Sequence, residues 1–134
     1  MRARSRSEEH VGEWKLRISA DSLEQIFAEL ARKVARLCGP TSGEPGPWER
    51  VTLDAHDADT LLADWANELL GRGEVARRAY DEVRHLSVVA SRLDAEVRGR
   101  QVDSWRSPLK AATYHGVRMG RRGRRWWAVL LFDV

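Results

Sequence analysis

The sequence is poor in the residues that cross-link or anchor a chain. Cys38 is the only cysteine among 134 residues, which excludes an intramolecular disulfide and a zinc site built on several cysteines. No apolar run approaches the ~20 residues of a membrane-spanning helix, and residues 1–9, MRARSRSEE, lack the apolar stretch of a signal peptide. We therefore expect a cytoplasmic protein in a reducing compartment, with no membrane partner.

Lysine is also scarce, since Lys15, Lys33 and Lys110 are the only three. The basic residues are mainly arginines, and the formal net charge of +3 is a modest excess that permits contact with nucleic acid without requiring it. A hydrophobic share of 43% and a charged share of 32% are typical of a globular protein. The length predicts a single domain, residues 1–134, in which residues 1–9 form a loosely attached leader.

The first half of the chain reads as a strand and a helix, then a second strand and helix. Apolar residues alternate over 14–20, which predicts a half-buried strand. Ser22 and Gln25 form a capping box at the start of a helix that ends before Gly39 and Pro40. Residues 41–47 read as a loop and 48–55 as a strand. Asp57 or Asp59 then caps a second helix, which the glycines at 71 and 73 end or loosen.

The second half reads as strands. Residues 83–89 and 93–97 alternate and are joined by a short turn near 90–92, and residues 101–108 form a polar connection. Residues 112–119 and 125–134 are two further strand patterns separated by GRRGR, which predicts a β-hairpin with a basic tip. The order of elements predicts an α+β fold, with a mixed, largely antiparallel sheet packed against two helices.

Three stretches together resemble the archease family. Residues 10–13, HVGE, precede a strand and residues 21–27, DSLEQIF, where the family has His-Thr-Ala-Asp, a strand and an Asp-Ser-Leu-Glu-like helix start. Residues 61–70, LLADWANELL, are similar to the family's Leu-Leu-x-x-Trp-Leu-Asn-Glu-Leu-Leu helix. Residues 110–115, KAATYH, are similar to its Lys-Ala-x-Thr-Tyr-His, and Asp133-Val134 stands where the family ends in Asp-Ile or Asp-Val. Order and spacing agree over nearly the whole chain.

The resemblance implies a chaperone-like protein cofactor of the RtcB-type RNA ligase, which joins RNA ends in tRNA splicing and RNA repair. Such a protein promotes guanylylation and turnover of the ligase and is not itself an enzyme, and it meets RNA through the ligase. The resemblance also implies a divalent ion, typically calcium, held by acidic residues near the two chain ends. The chain departs from the family at Glu13, where the family has Asp, and at Gly99-Arg100, where it has Gly-Glu.

The metal ligands implied by the resemblance are Glu13 and Asp133. Val134, beside Asp133, adds another oxygen donor, and Asp21 could be an acidic near neighbour of the site. Calcium and magnesium bind several hard oxygens, so two carboxylates and the carboxylate of Val134 would supply part of a shell. In the competing interpretation Glu13 and Asp133 are strand-end carboxylates that face water or an arginine. Asp21 would then cap the first helix.

A second group of candidates consists of Lys110, Thr113 and His115. A lysine, a hydroxyl and an imidazole could serve proton transfer or phosphate binding. Strand alternation would place Thr113 and His115 on one face and Tyr114 on the other. No nucleophile accompanies the histidine in a recognisable arrangement, which favours a structural role or a contact with the partner over catalysis. His10 could orient a carboxylate near Glu13 or be simply solvated.

The alternative hypothesis is that the protein is a small RNA-binding module that uses the basic hairpin tip. Arg121, Arg122 and Arg124 could contact phosphates, and the tryptophans behind them could stack on bases. In the competing interpretation the turn is solvated, with one tryptophan in the core and one on the outer face. A metal-dependent hydrolase is a third hypothesis, against which the thin set of carboxylates argues. Asn67 is a poor helix former in the middle of a helix, which indicates a hydrogen-bonding role.

Overall fold

Two antiparallel sheets enclose a core that they share with two helices. The computed structural model describes residues 3–10 and 12–134, with the side chains of residues 8–10 left out. Over these residues the elements are β1 (Arg4–His10), β2 (Glu13–Ala20), α1 (Leu23–Arg36), β3 (Thr41–Ser42), β4 (Glu49–Asp54), α2 (Ala58–Ala76), β5 (Arg78–Val89), β6 (Arg92–Val102), β7 (Ala111–Ala112), β8 (Arg118–Arg122) and β9 (Arg125–Asp133).

The strands divide into two separate sheets, not one. The first sheet has the order β1-β2-β9-β7, with β8 also paired to β9. The second sheet has the order β3-β6-β4, with β5 on the other side of β6. The α+β class is confirmed, but the prediction of one mixed sheet is wrong, because all seven strand pairings among the described residues are antiparallel and no strand belongs to both sheets. Each helix contacts strands of both sheets.

The local signals for β2 and α1 are confirmed. Trp14, Leu16, Ile18 and Ala20 are buried on one face of β2, as the alternation predicts. Ser22 is the N-cap of α1, and its Oγ accepts a hydrogen bond from the N–H of Gln25 at 3.2 Å. The Gln25 side chain reaches back and accepts from the N–H of Asp21 at 3.0 Å. These bonds satisfy backbone donors that the first helical turn leaves free.

The second helix runs farther than its glycines suggest. Asp57 is the N-cap, accepting from the N–H of Thr60 at 2.7 Å, and α2 continues to Ala76. The prediction that the glycines at 71 and 73 end the helix is wrong, because packing requires Gly73 within it. A Cβ at Gly73 would lie 2.9 Å from the Trp105 ring and 3.0 Å from the carbonyl oxygen of Arg78. The helix ends instead at Arg77, in the left-handed conformation with a φ of 57°.

The predicted leader is the largest correction. Residues 4–10 form β1, which pairs with β2 from Arg4 opposite Ser19 to His10 opposite Glu13. The hydroxyl of Ser5 donates to Glu29 of α1 at 2.9 Å, so this strand is also tied to the helix below it. Residues 4–10 show no alternation of apolar and polar residues, because serine, not an apolar residue, occupies position 5, which faces the helix. Backbone pairing with β2 and polar contacts hold the strand in place.

The final third of the chain holds a hairpin and an irregular loop. The hairpin β8–β9 is confirmed, with Gly123 at its tip at a φ of 61°. The strand predicted over residues 112–119 is interrupted, because residues 114–116 form a turn between β7 and β8. The placement of Thr113 and His115 on one strand face is therefore wrong. β6 also extends to Val102, which shortens the predicted polar connection.

One cluster of buried side chains joins both sheets and both helices, so the chain has one main core. Trp65 of α2 is fully buried, and its indole Nε1 donates to the carbonyl of Phe27 in α1 at 2.9 Å. Cys38 is buried in a second, smaller cluster with Ala35, Ala79 and Val102, and burial raises the pKa of its thiol to about 11. Neither helix of the described chain combines the length and apolar character that crossing a membrane requires.

Candidate functional site

Most of the predicted site residues lie on, or beside, one face of the first sheet. Along β2 the buried residues Trp14, Leu16 and Ile18 point toward the helices. Their neighbours point the other way, because successive side chains of a strand alternate between faces. We call this second side the outer face of the first sheet. The candidates fall at its two opposite ends, which we call the acid end and the basic end.

Glu13 and Asp133 define the acid end. They are directly opposite each other in the pairing of β2 with β9. Trp14 and Phe132, the next pair, are buried on the inner side, so Glu13 and Asp133 share the outer face. Directly opposite residues have Cβ atoms about 5 Å apart. The expectation that an acid from each chain end meets at one place is confirmed.

The third family stretch lies beside this pair. Ala111 of β7 is opposite Asp133 on the other side of β9, and the N–H of Lys110 donates to the carbonyl of Asp133 at 2.8 Å. The N–H of Thr113 donates to the carbonyl of Leu131 at 2.8 Å. The side chains of Lys110 and His115 are exposed. The hydroxyl of Thr113 is buried, and within the described chain it has no hydrogen-bond partner.

Asn67 of α2 fixes β7 in this position. Its side-chain oxygen accepts from the N–H of Ala112 at 2.7 Å, and its amide nitrogen donates to the carbonyl of Ala112 at 3.2 Å. The amide group thus replaces the peptide group of a further strand. One turn earlier, Asp64 accepts from the hydroxyl of Tyr114 at 2.6 Å, and this bond raises the pKa of Tyr114. The hydrogen-bonding role predicted for Asn67 is confirmed.

Asp64 is a site residue that sequence reasoning missed. It stands three residues before Asn67 on the same helix, and residues at that spacing share a helix face. This spacing from Asn67 is the feature of the sequence that could have identified Asp64. The hydrogen bonds of Asn67 and Asp64 thus join residues 61–70 to residues 110–115.

The structure separates Asp21 from the acidic pair. Asp21 follows the far end of β2, eight residues from Glu13, or roughly 26 Å along an extended strand. Its carboxylate accepts from Nη1 of Arg125 at 2.7 Å, and the helix cap is Ser22. Both roles expected for Asp21, the metal neighbour and the helix cap, are therefore wrong.

His10 and Val134 complete the acid end. The backbone of His10 ends β1 opposite Glu13, while its side chain lies outside the described residues. Val134 follows Asp133 directly and is 39% exposed. The row of backbone positions from His10 across Glu13 and Asp133 to Ala111 thus spans four neighbouring strands.

Arg121, Arg122 and Arg124 lie at the basic end, together at the tip of the hairpin. Arg122 is directly opposite Arg125, and both β8 and β9 lead away from there toward Asp133. The tryptophans behind the tip are split, as the competing interpretation of a solvated turn predicts. Trp126 packs against the core, whereas Trp127 is exposed on the outer face.

The acid end offers part of a cation site. Two carboxylates directly opposite each other repel, and a cation between them would relieve that repulsion. Carboxylate oxygens are the ligands that calcium prefers. Within the described chain, however, no group of three or more His, Cys, Asp or Glu residues could hold a metal. The donor set fits an ion that takes its remaining ligands from backbone oxygens and water.

Comparison with known proteins establishes the family. The sequence model of the Archease protein family matches residues 6–134. The chain belongs to the archease family. Protein archease of Methanopyrus kandleri is 29% identical over 135 residues, covering 94% of this chain and 96% of that protein.

Two solved structures share the archease fold of this chain. The crystal structure of a Thermotoga maritima archease, described as a possible chaperone, covers 95% of this chain and 94% of its own, with a TM-score of 0.67 and 18% identity. The solution structure of Methanobacterium thermoautotrophicum protein 1598 covers 97% of this chain and 98% of its own, with a TM-score of 0.76 and 19% identity. At these identities the likeness shows the fold alone.

Proposed function

We propose that this archease-family protein activates an RtcB-type RNA ligase in tRNA splicing or RNA repair. It acts in the cytoplasm as a partner protein that promotes guanylylation and turnover of the ligase, and it performs no catalysis itself. The observation that supports this most is that Glu13 and Asp133, distant in sequence, meet at the acid end, where residues 61–70 hold residues 110–115 beside them.

The acid end is suited to docking. The bonds from α2 to β7 and Tyr114 fix the loop that presents the exposed side chains of Lys110 and His115. A fixed surface of this kind can bind one conformation of a partner more tightly than another and so shift its population. Activation by this route needs no nucleophile or general base in this chain.

We also propose that the acid end holds calcium or another divalent cation through Glu13 and Asp133, with Val134 supplying a further oxygen. The bound ion would supply positive charge that links the two chain ends. Glu13 carries its carboxylate one methylene farther from the backbone than the family's Asp. The charge is retained, while the position of the ligand oxygen changes.

The proposed activation is tested with the RtcB-type ligase of the same organism. We expect the wild-type protein to raise the rate of RNA end joining on the order of tenfold or more, the usual size of an allosteric coupling. The fraction of guanylylated ligase should rise in parallel. Replacing Lys110 and His115 by Ala should remove most of the stimulation, because both side chains are exposed beside the acid end.

The matched control is Glu44→Gln, an exposed charged residue in the loop between β3 and β4. This variant should stimulate as well as the wild type. Failure of the wild-type protein to change either the ligation rate or the guanylylated fraction would remove the proposal.

A further inference from the structure

Arginines crowd the basic end of the outer face. Arg4 and Arg6 lie on β1, Arg17 on β2, Arg125 on β9 and Arg122 on β8. The register places Arg6 directly opposite Arg17 and Arg122 directly opposite Arg125. Like charges at directly opposite positions destabilise a sheet. The fold therefore gathers cations across four neighbouring strands.

Carboxylates of the described chain balance only part of this charge. Arg125 donates to Asp21 at 2.7 Å and to the hydroxyl of Ser19 at 3.2 Å. Arg4, Arg6 and Arg122 are exposed, and no described carboxylate forms an ion pair with them. Their exposed guanidinium groups can pair with an anion from outside the chain.

An exposed indole lies among these arginines. Trp127 is 38% exposed, and in the register it lies between Ser19 and Gly120. A Cβ on Gly120 would lie 2.7 Å from Cζ2 and 3.1 Å from Nε1 of the ring. The indole therefore rests on the backbone of the neighbouring strand, where only a glycine leaves room for it.

The arginines and the indole line one open groove of about 730 Å³. Its polar walls are Arg4, Arg6 and Arg17 on one side and Arg122 and Arg125 on the other, with Trp127 between them. Outward positions two residues apart, such as Arg4 and Arg6, are roughly 7 Å apart along the strand. A flexible chain of anionic groups could contact several of these side chains at once.

We propose that the basic end of the outer face binds single-stranded RNA, with phosphates at Arg4, Arg6 and Arg122 and a base stacked on Trp127. Guanidinium groups form paired hydrogen bonds with phosphate oxygens. Stacking on an aromatic ring accepts any base. The exposed indole favours a nucleic acid over an acidic protein surface, which offers carboxylates but fewer flat rings.

This site is distinct from the acid end and adds direct RNA contact to the proposed ligase activation. It does not depend on that activation, because RNA binding is measured on the protein alone. Failure in the binding experiment and failure in the ligation experiment are therefore separate results. The site also differs from the hairpin module predicted from the sequence, since β1 supplies two of its arginines.

The probe is a fluorescein-labelled oligouridine of about twelve nucleotides, and the readout is fluorescence anisotropy with the full chain. Each phosphate contact contributes about −0.7 to the slope of log affinity against log salt for a single strand. Three contacts predict a slope of about −2. The double substitution R4Q/R6Q should weaken binding by about tenfold or more and reduce the slope to about −0.7.

Two controls make the result specific. The substitution R50Q/R106Q removes the same charge from exposed arginines elsewhere, and it should change the affinity less than about twofold. Trp127→Leu should weaken binding by about fivefold or more while leaving the salt slope unchanged, because it removes stacking and no phosphate contact. Circular dichroism verifies that each variant is folded.

The proposal is overturned if R4Q/R6Q and R50Q/R106Q weaken binding equally, since the attraction would then be net charge alone. It is also overturned if polyglutamate competes as well as unlabelled RNA and Trp127→Leu has no effect. That outcome would assign the groove to an acidic protein surface.

Discussion

Charged residues are arranged in opposite ways on the outer faces of the two sheets. The outer face of the second sheet is the side opposite the buried residues Leu93, Ala95 and Val97 of β6. On the second sheet, opposite charges alternate and pair across strands. Arg98 and Glu82 are 3.0 Å apart. Glu96 meets Arg84 at 3.1 Å. On the first sheet, like charges are placed directly opposite each other at both ends. The charges of the second face are paired within the chain, whereas both sites that we propose for ions and ligands from outside lie on the first face.

Two tryptophans show the same difference. Trp48, beside the second sheet, has the guanidinium of Arg84 at 4.1 Å and that of Arg98 at 4.4 Å from its ring centre. Its π-face is already occupied by cations of the chain. Trp127 on the first sheet is partly exposed and rests on Gly120. The residue type is the same, and the surrounding strands decide whether the ring is available to a ligand.

The largest expected effect follows from removing the support of the acid end. Asn67→Ala leaves the N–H and carbonyl of the buried Ala112 without their partner. Each unpaired buried backbone group costs about 1–3 kcal/mol, so the free energy of unfolding should fall by about 2–4 kcal/mol. Urea denaturation followed by circular dichroism measures this change.

The matched control for this substitution is Glu74→Ala, an exposed position later on the same helix, which should change the unfolding free energy by less than about 0.5 kcal/mol. If Asn67→Ala and Glu74→Ala lower the free energy of unfolding equally, the hydrogen bonds of the Asn67 amide do not stabilise the fold.

A smaller effect on the free energy of unfolding is expected when calcium binds at the acid end. Calcium at one hundred times its dissociation constant should stabilise the wild-type protein by about 2.7 kcal/mol, since it binds only the folded chain. Glu13→Gln and Asp133→Asn should each remove most of this gain, which differential scanning calorimetry with calcium or with a chelator measures.

Asp54→Asn is the control, because Asp54 is an exposed strand-end carboxylate of the second sheet that already pairs with Arg92 at 2.9 Å. It should leave the calcium gain unchanged. A gain that persists in both acid-end variants would place the ion elsewhere.

The smallest effect tests the comparison of the two outer faces most directly, because two substitutions should change the free energy of unfolding in opposite directions. Arg122→Gln removes a like-charged pair from the first sheet and should raise the unfolding free energy by about 0.2–1 kcal/mol. Arg98→Gln removes an ion pair and a ring contact from the second sheet and should lower it by a similar amount.

Thermal unfolding at low salt measures both arginine variants, and high salt should shrink both changes. Shifts of the same sign would mean that the faces do not differ in the way their charges are balanced.

Local patterns in the sequence predicted much of the fold. The alternation of β2, the cap at Ser22 and the hairpin around Gly123 each depend on a few neighbouring residues, and each is confirmed. β1 was missed because its inward side carries serine and its pairing comes from β2. The end of α2 was also misjudged, because the need for Gly73 comes from the distant Trp105.

The candidate site was predicted in part. Family motifs pointed to Glu13 and Asp133, and the register confirms that they meet. The same motifs suggested Asp21, which β2 carries to the opposite end of the sheet. Arg4 and Arg6 were not singled out at all, since residues 1–9 were read as a leader. Their position relative to β9 depends on the order of strands in the sheet, which is set by pairing between segments far apart in sequence.

The sequence by itself determined the α+β class, the bounds of β2 and β9, the start of each helix and the family, because periodicity, caps and motifs are local along the chain. Only the tertiary structure decided which charges face each other, because strands far apart in sequence pair through backbone hydrogen bonds that carry no residue code. That pairing separates an acid end from a basic end on a face whose sequence shows only scattered acids and arginines.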